Sequence, residues 1–279
     1  MSMFFEISLA EWSFHRQLES GKLTNLDFPA KAKKEFDISV VEYVNSFFKD
    51  KAKDTAYLNE LLQRCKDNDV QNHLIMIDNE GPLADLDDKK RNTAVQNHYK
   101  WIDAAKYLGC TMVRVNAFGE GNPEDVQQAA ADGLNKLSEY AERVGIQITV
   151  ENHGGVTSNG EWLAGLMQLT NNKNVGTLPD LGNFCIRWEG SWSDCKEMYD
   201  RYKGVTEVIP YAKGISAKTI DFDADGNCME TDYVRMMKII KDAGFKGYMG
   251  IEYGGEQWSE EEGVRKTKEL LLKTAADMS

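Results

Sequence analysis

The chain has no apolar run approaching the roughly 20 residues needed to cross a bilayer as a helix. A helical membrane protein is therefore excluded, and no membrane partner is expected. Basic residues are in deficit, with 33 Lys+Arg against 45 Asp+Glu and a formal charge of −12. Nucleic-acid binding needs a basic surface to neutralise phosphates, so that partner is excluded too. The five cysteines, Cys65, Cys110, Cys185, Cys195 and Cys228, contain no CxxC pair. Odd in number and widely spaced, they are expected as reduced thiols in a reducing compartment, not as a disulfide frame or a zinc site. No glycine-rich dinucleotide fingerprint follows any strand, and there is no linker or low-complexity tract. The N-terminus lacks a basic start. Its apolar piece, Phe4 to Ala10, is interrupted by Glu6 and reads as a strand rather than a leader, so the expected location is the cytoplasm.

What is present is ordinary for a large soluble core. Hydrophobic residues make up 42% of the 279 positions and charged residues 28%, which argues against disorder. Short β-type runs alternate with helical spacing along nearly the whole chain. The expected strands are 4–8, 37–43, 73–78, 112–117, 147–152, 175–180, 213–218 and 248–253. Between them, Asn122 caps a helix that opens on Pro123, carries Val126, Ala130, Leu134, Leu137 and Ala141 on one face, and stops at Gly145. Val95, Tyr99, Ile102 and Ala105 mark a second helix, and Val234, Met237 and Ile240 a third. Ser158-x-x-Glu161 and Ser259-x-x-Glu262 read as capping boxes. Eight strand–helix units predict an α/β fold, a (β/α)₈ TIM barrel, in one domain over residues 1–279.

Strand parity then aims particular side chains at the barrel axis. In Ile146-Gln147-Ile148-Thr149-Val150-Glu151 the apolar residues face the helices, so Glu151 faces inward. The same parity turns Arg114 and Asn116, Ser216 and Lys218, and Glu252 inward, while Asp180 ends the sixth strand. Active sites of such barrels lie at the carboxyl ends of the strands. Glu151, Asp180 and Glu252 would share that mouth. Three carboxylates taken out of water need a compensating cation, and oxygen ligands suit Mg²⁺ or Mn²⁺. Lys218 could supply part of the compensation. His153 is a candidate substrate contact. Trp12, Trp188, Trp192 and Trp258 lie in predicted loops and are candidate aromatic walls. Asp78 and Glu6 are read as solvated positions, and His15, His73 and His98 as structural.

At these residues the chain resembles the xylose isomerase-like TIM barrel superfamily, in its sugar phosphate isomerase/epimerase branch. The resemblance rests on Val150-Glu151-Asn152-His153-Gly154, Pro179-Asp180-Leu181-Gly182-Asn183-Phe184 and Gly250-Ile251-Glu252-Tyr253. Arg114-Val115-Asn116 and the Asp78-Asn79-Glu80-Gly81 turn add to it. It implies one divalent metal, Mn²⁺ or Mg²⁺, held by Glu151, Asp180 and Glu252. The family's histidine ligand falls where this chain has Ser216, in Ser216-Ala217-Lys218, so the fourth metal position is left to Ser216 or a water, which weakens the implied site. Asn183 stands where some keto-sugar epimerases place a substrate-contacting histidine. The implied activity is metal-assisted isomerisation or epimerisation of a sugar, sugar phosphate or other small sugar derivative through an enediolate. Glu151 and Glu252 would move protons, Lys218 would assist, and His153, Asn116, Arg114, Asn183 and Trp12 would bind substrate. A lyase or dehydratase using the same site is the alternative, and a carbohydrate-binding barrel without metal a further one. A second copy of the chain is the candidate protein partner.

Overall fold

The computed structural model describes residues 3–191 and 194–278. Eight parallel strands form one sheet that curls into a barrel. They are β1 (Glu6–Ala10), β2 (Val40–Val44), β3 (Gln71–Met76), β4 (Met112–Val115), β5 (Gln147–Glu151), β6 (Val175–Leu178), β9 (Ile215–Thr219) and β10 (Tyr248–Tyr253). Between β6 and β9 the chain adds an antiparallel hairpin, β7 (Cys185–Trp188) with β8 (Cys195–Met198). The barrel order runs β6-β5-β4-β3-β2-β1-β10-β9. Two isolated parallel bridges, Thr177↔Ala212 and Asp180↔Ser216, join its free edges. The α/β barrel expected from the alternation is the fold observed, with helices between the strands.

Local chemistry explains the elements. The helix Pro123–Val144 starts where Asn122 Oδ1 accepts the Glu124 N–H and ends at Gly145, whose φ of 77° only glycine adopts without cost. Its stripe of Val126, Ala130, Leu134, Leu137 and Ala141 is buried against the strands. Full burial of one such leucine is worth about 1.5–3 kcal/mol. On β5, Ile148 and Val150 enter the same outer layer, while Thr149 and Glu151 turn to the axis. Inside the barrel a small second cluster of Ala10, Val44, Leu74, Met76, Met112 and Leu178 fills the axis. An apolar plug thus lies in the barrel axis, and most of the inward-facing ionisable groups collect toward the strand tops.

The structure corrects several expectations. β1 lies two residues later than expected. Ser158 is not a helix cap: Asn159 caps the helix Gly160–Thr170, and Ser158 Oγ accepts the Gly154 N–H while donating to the Asn183 carbonyl. Val234 is 59% exposed, because the buried stripe of its helix starts at Tyr233 and continues through Met236, Met237 and Ile240. Cys185 and Cys195 form a disulfide across the β7–β8 hairpin, contrary to the expectation of reduced thiols throughout. The hairpin folds back so that the two cysteines, ten residues apart in sequence, come to a Cα–Cα distance of 5.8 Å, which spacing along the chain did not reveal. Cys65, Cys110 and Cys228 are free and buried. No helix of the described residues is long and apolar enough to cross a membrane.

Candidate functional site

The strand tops carry a buried ionic network. Glu151 at the end of β5, Asp180 after β6 and Glu252 on β10 place one oxygen each within 4.8 Å of one another, and all three are buried. Their positions follow from the backbone. Asn152 donates from Nδ2 to the Asp180 and Asn183 carbonyls, and its Oδ1 accepts the Asp180 N–H. That side chain ties the β5 top to the β6 loop. Asp180 Oδ1 accepts the N–H groups of Gly182 at 2.7 Å and Asn183 at 2.8 Å.

Two cations reach in. Lys218 Nζ donates to Glu252 Oε1 at 2.6 Å. Its stem lies against the β6 loop, where a Cβ on Gly182 would sit 2.8 Å from Lys218 Cγ, so only glycine leaves room there. Arg114 donates from Nη1 to Asp78 Oδ1 at 2.6 Å and brings Nε to 2.8 Å from Glu151 Oε2. The second contact is an ion pair without an aligned hydrogen bond. Arg114 Nε and Glu151 Oε2 are both buried atoms lacking one. Burial opposes charge on Lys218 and Arg114, yet the surrounding carboxylates outweigh it and hold both above their ordinary ranges.

The carboxyls divide into two kinds. At Glu252 burial is outweighed by the Lys218 ammonium, and the group stays below its usual value. At Asp78 burial is likewise outweighed, chiefly by Arg114. At Glu151 and Asp180 burial dominates and pushes both well above the carboxylate range. Ser216 Oγ lies 3.1 Å from both Asp180 Oδ2 and Glu252 Oε2. One hydroxyl has one proton to give. Both contacts become hydrogen bonds when Asp180 is protonated and donates to Ser216, which in turn donates to Glu252. His153 is neutral at physiological pH because burial, then Arg114, lowers it to about 4. Its Nδ1 lies 2.8 Å from Asn116 Oδ1, and Asn116 donates to Asp78.

Above the network is a cavity of about 370 Å³ lined by Trp12, Met76, Asp78, His153, Asn183 and Lys218, among others. Trp12 stacks on His15 at 4.8 Å. Asn183 donates from Nδ2 to Glu151 Oε1 at 3.2 Å. Of the other tryptophans, Trp188 packs on Gly154 outside this cavity, and Trp258 sits 4.2 Å from the Lys266 ammonium near Tyr253. Trp192 lies outside the described residues.

Three carboxyls escaped the sequence reading or were read as unimportant. Asp78 is the Arg114 partner, not a solvated turn residue. Glu42 faces the axis from β2. Its Oε1 accepts the Ser8 hydroxyl at 2.5 Å, and its buried Oε2 has no partner. Glu11 accepts from Asn25 Nδ2 and the Val44 N–H, and burial raises it to about 8. The signal for Glu42 was available, since it alternates with Val40 and Val44 on one face of its strand.

The donor set fits a divalent cation. Among the described residues, the Lys and Arg side chains set against Glu42, Asp78, Glu151, Asp180 and Glu252 are Arg114 and Lys218, which leaves an excess of negative charge held partly by protons. A cation would replace those protons, and Glu151 Oε2, which accepts no hydrogen bond although it is ion-paired to Arg114, has a lone pair to offer it. Lys218 already occupies Glu252 Oε1 and competes for that ligand.

Comparison with known proteins gives a consistent picture. The model of the family described as xylose isomerase-like TIM barrel matches residues 30–274. An inosose dehydratase of Clostridium perfringens is 24% identical over 144 residues, 46% of this chain and 48% of that protein. The chain thus spans about half the length of the curated relatives it matches. A xylose isomerase-like TIM barrel protein from Mycobacterium smegmatis, solved in complex with magnesium, superposes with a TM-score of 0.72 at 14% identity, covering 100% of each chain. A sugar phosphate isomerase/epimerase from Parabacteroides distasonis gives 0.69 at 15% identity, covering 97% of this chain and 94% of that one. At such identities the structural likeness speaks for the fold alone.

Proposed function

The chain belongs to the xylose isomerase-like TIM barrel family, and from that premise we propose that it is an enzyme, a divalent-metal-assisted sugar isomerase or epimerase. The observation that carries this reading is the buried Glu151–Asp180–Glu252 triad at the barrel mouth with more carboxylates than cations around it. Glu151, Asp180 and Glu252 would hold Mg²⁺ or Mn²⁺, which as a Lewis acid supplies polarisation of adjacent substrate oxygens and acidifies the C–H between them.

The chain's own groups would do the rest. Glu151 and Glu252 stand on β5 and β10, apart around the ring, so each would approach a sugar lying over the triad from a different side. With a cation held beside it, the proton affinity of Glu151 would be set largely by that cation. Returning the proton to the opposite face epimerises; returning it to the neighbouring carbon isomerises. Arg114 and Lys218 would steady oxyanions while keeping their carboxylates charged. His153, Asn116 and Asn183 would meet hydroxyls, and Trp12 would cover an apolar sugar face and exclude water.

One observation favours a second reading. Lys218 touches Glu252 at 2.6 Å, so a base and a proton donor stand side by side. That pair suits removal of a C–H proton with protonation of a departing hydroxyl, as in a dehydratase, and a relative carries that name. Metal-loaded protein incubated with keto and aldo sugars in deuterated water separates the readings. Deuterium incorporation with an epimer or isomer supports the first, and loss of water to give an enone supports the second. No exchange with any sugar leaves a carbohydrate-binding barrel. The disulfide removes the ground for the expected reducing compartment, so a cytoplasmic location carries no weight here.

A further inference from the structure

The cavity over the carboxylates has a neighbour. Asn183 and Lys218 also line a second cavity of about 330 Å³, roofed by the β7–β8 hairpin. The two spaces therefore adjoin across those side chains. The Cys185–Cys195 disulfide closes the hairpin. Trp188 seats it: a Cβ on Gly154, just past the Glu151 strand, would lie 2.2 Å from the indole ring, and Gly154 has a φ of 93°. The hairpin is thus fixed to the catalytic strand by a close ring-on-backbone contact that any other residue would break.

The lining has two characters. Trp188, Met198 and Ile220 form an apolar side, with Met198 54% and Ile220 38% exposed. Large apolar side chains left open on a cavity wall suit a ligand that covers them. Arg201 and Glu230 line the same cavity. Arg201 gives one N–H to Thr231, and Glu230 accepts from the Asp221 N–H and the Cys228 thiol through Oε2. Apolar side chains combined with an acid and a base in one lining match a ring whose faces are C–H and whose edges carry hydroxyls. It does not match a phosphate. The Glu230 carboxylate would repel it, Lys218 is committed to Glu252, and the nearby helix Arg201–Val208 is already capped by Asp200. Each cavity is at the lower end of the roughly 300–1,000 Å³ typical of small-molecule sites, so together they fit a longer ligand than one sugar ring.

Building on the reading of the mouth as a sugar site, we propose that this second cavity is a subsite for the second ring of a glycoside. The substrate class is then a two-ring glycoside, not a free or phosphorylated monosaccharide. The test is calorimetric titration of the Mn²⁺-loaded full chain with methyl β-D-glucopyranoside, D-glucose 6-phosphate, cellobiose, maltose and phenyl β-D-glucopyranoside. At least one two-ring probe is expected to bind tenfold or more tighter than the methyl glucoside, and disaccharide against phenyl glucoside tells a sugar from an aryl second ring. Trp188→Ala should reduce that ratio below threefold. Met198→Ser, at an exposed position that does not threaten folding, should reduce it in the same sense. Equal affinity for one-ring and two-ring probes, tightest binding of the phosphate, no binding of any two-ring probe, or a ratio untouched by both variants overturns the proposal. Proton exchange in deuterated water is scored separately. Two-ring binding without exchange refutes the catalytic reading and leaves the subsite standing; exchange without a two-ring preference does the reverse.

Discussion

Glu42→Gln isolates the energetics of the buried carboxyl excess. Glu42 lies in the barrel axis with one partner, the Ser8 hydroxyl, and an unpartnered Oε2. Burial, reinforced by Glu252 and Glu151, raises its pKa from 4.5 to about 7. An acid whose folded pKa is raised binds its proton more tightly in the folded state. Its contribution is therefore fully present below pH 4.5, declines as pH rises, and is lost above about 7. A tenfold change in proton affinity corresponds to about 1.4 kcal/mol, so ionising Glu42 in place costs on the order of 3 kcal/mol between those limits. Glutamine keeps an acceptor for Ser8 and never ionises. Urea unfolding of both proteins, in chelator, at steps from pH 4.5 to 8.5 measures the effect. The stability difference should move in favour of the variant by about 3 kcal/mol across the window and then level off. Glu11, Glu151 and Asp180 titrate in both proteins and largely cancel, and removing the Glu42 charge eases Glu151 in the same direction. Parallel curves for the two proteins would refute the placement of an unpaired, titrating Glu42 in the axis.

The other predictions concern the mouth. Glu151→Gln and Glu252→Gln each remove a base without changing shape, and turnover on an identified substrate should fall roughly 10²–10⁴-fold; near wild-type kcat in both variants would dismiss the proton-transfer pair. Lys218→Met frees Glu252 Oε1 and removes a cation from beside the triad. Because like charges a few ångströms apart repel by about 4 kcal/mol at an intermediate dielectric, Mn²⁺ affinity in calorimetry should rise at least tenfold, and unchanged affinity would mean that the metal does not use this carboxylate. Gly154→Ala forces a side chain onto a φ of 93° and into the Trp188 ring, so the melting temperature should drop and tryptophan emission should shift, whereas an unaltered spectrum would contradict the Trp188 contact.

Much of this molecule was legible in the residues. The eight-fold strand and helix alternation, the Asn122 and Gly145 ends of one helix and the inward parity of Glu151, Ser216, Lys218 and Glu252 are local properties. Each depends on the two-residue or 3.6-residue period or on one residue's backbone preference, and these act over a few positions. Which charges meet is a different matter, settled by the assembled barrel. Arg114 is shared between Asp78 and Glu151, Lys218 falls on Glu252, and Ser216 fills the space between Asp180 and Glu252. The same closure buries Glu42 without a second partner, brings Cys185 to Cys195, and takes Trp188 away from the mouth to roof its own cavity. The direction of each side chain could be read along the chain, because direction is set by neighbours on the same strand. Distance, burial and the resulting proton affinities depend on strands separated by dozens of residues closing into one ring, and only the closed barrel fixes them.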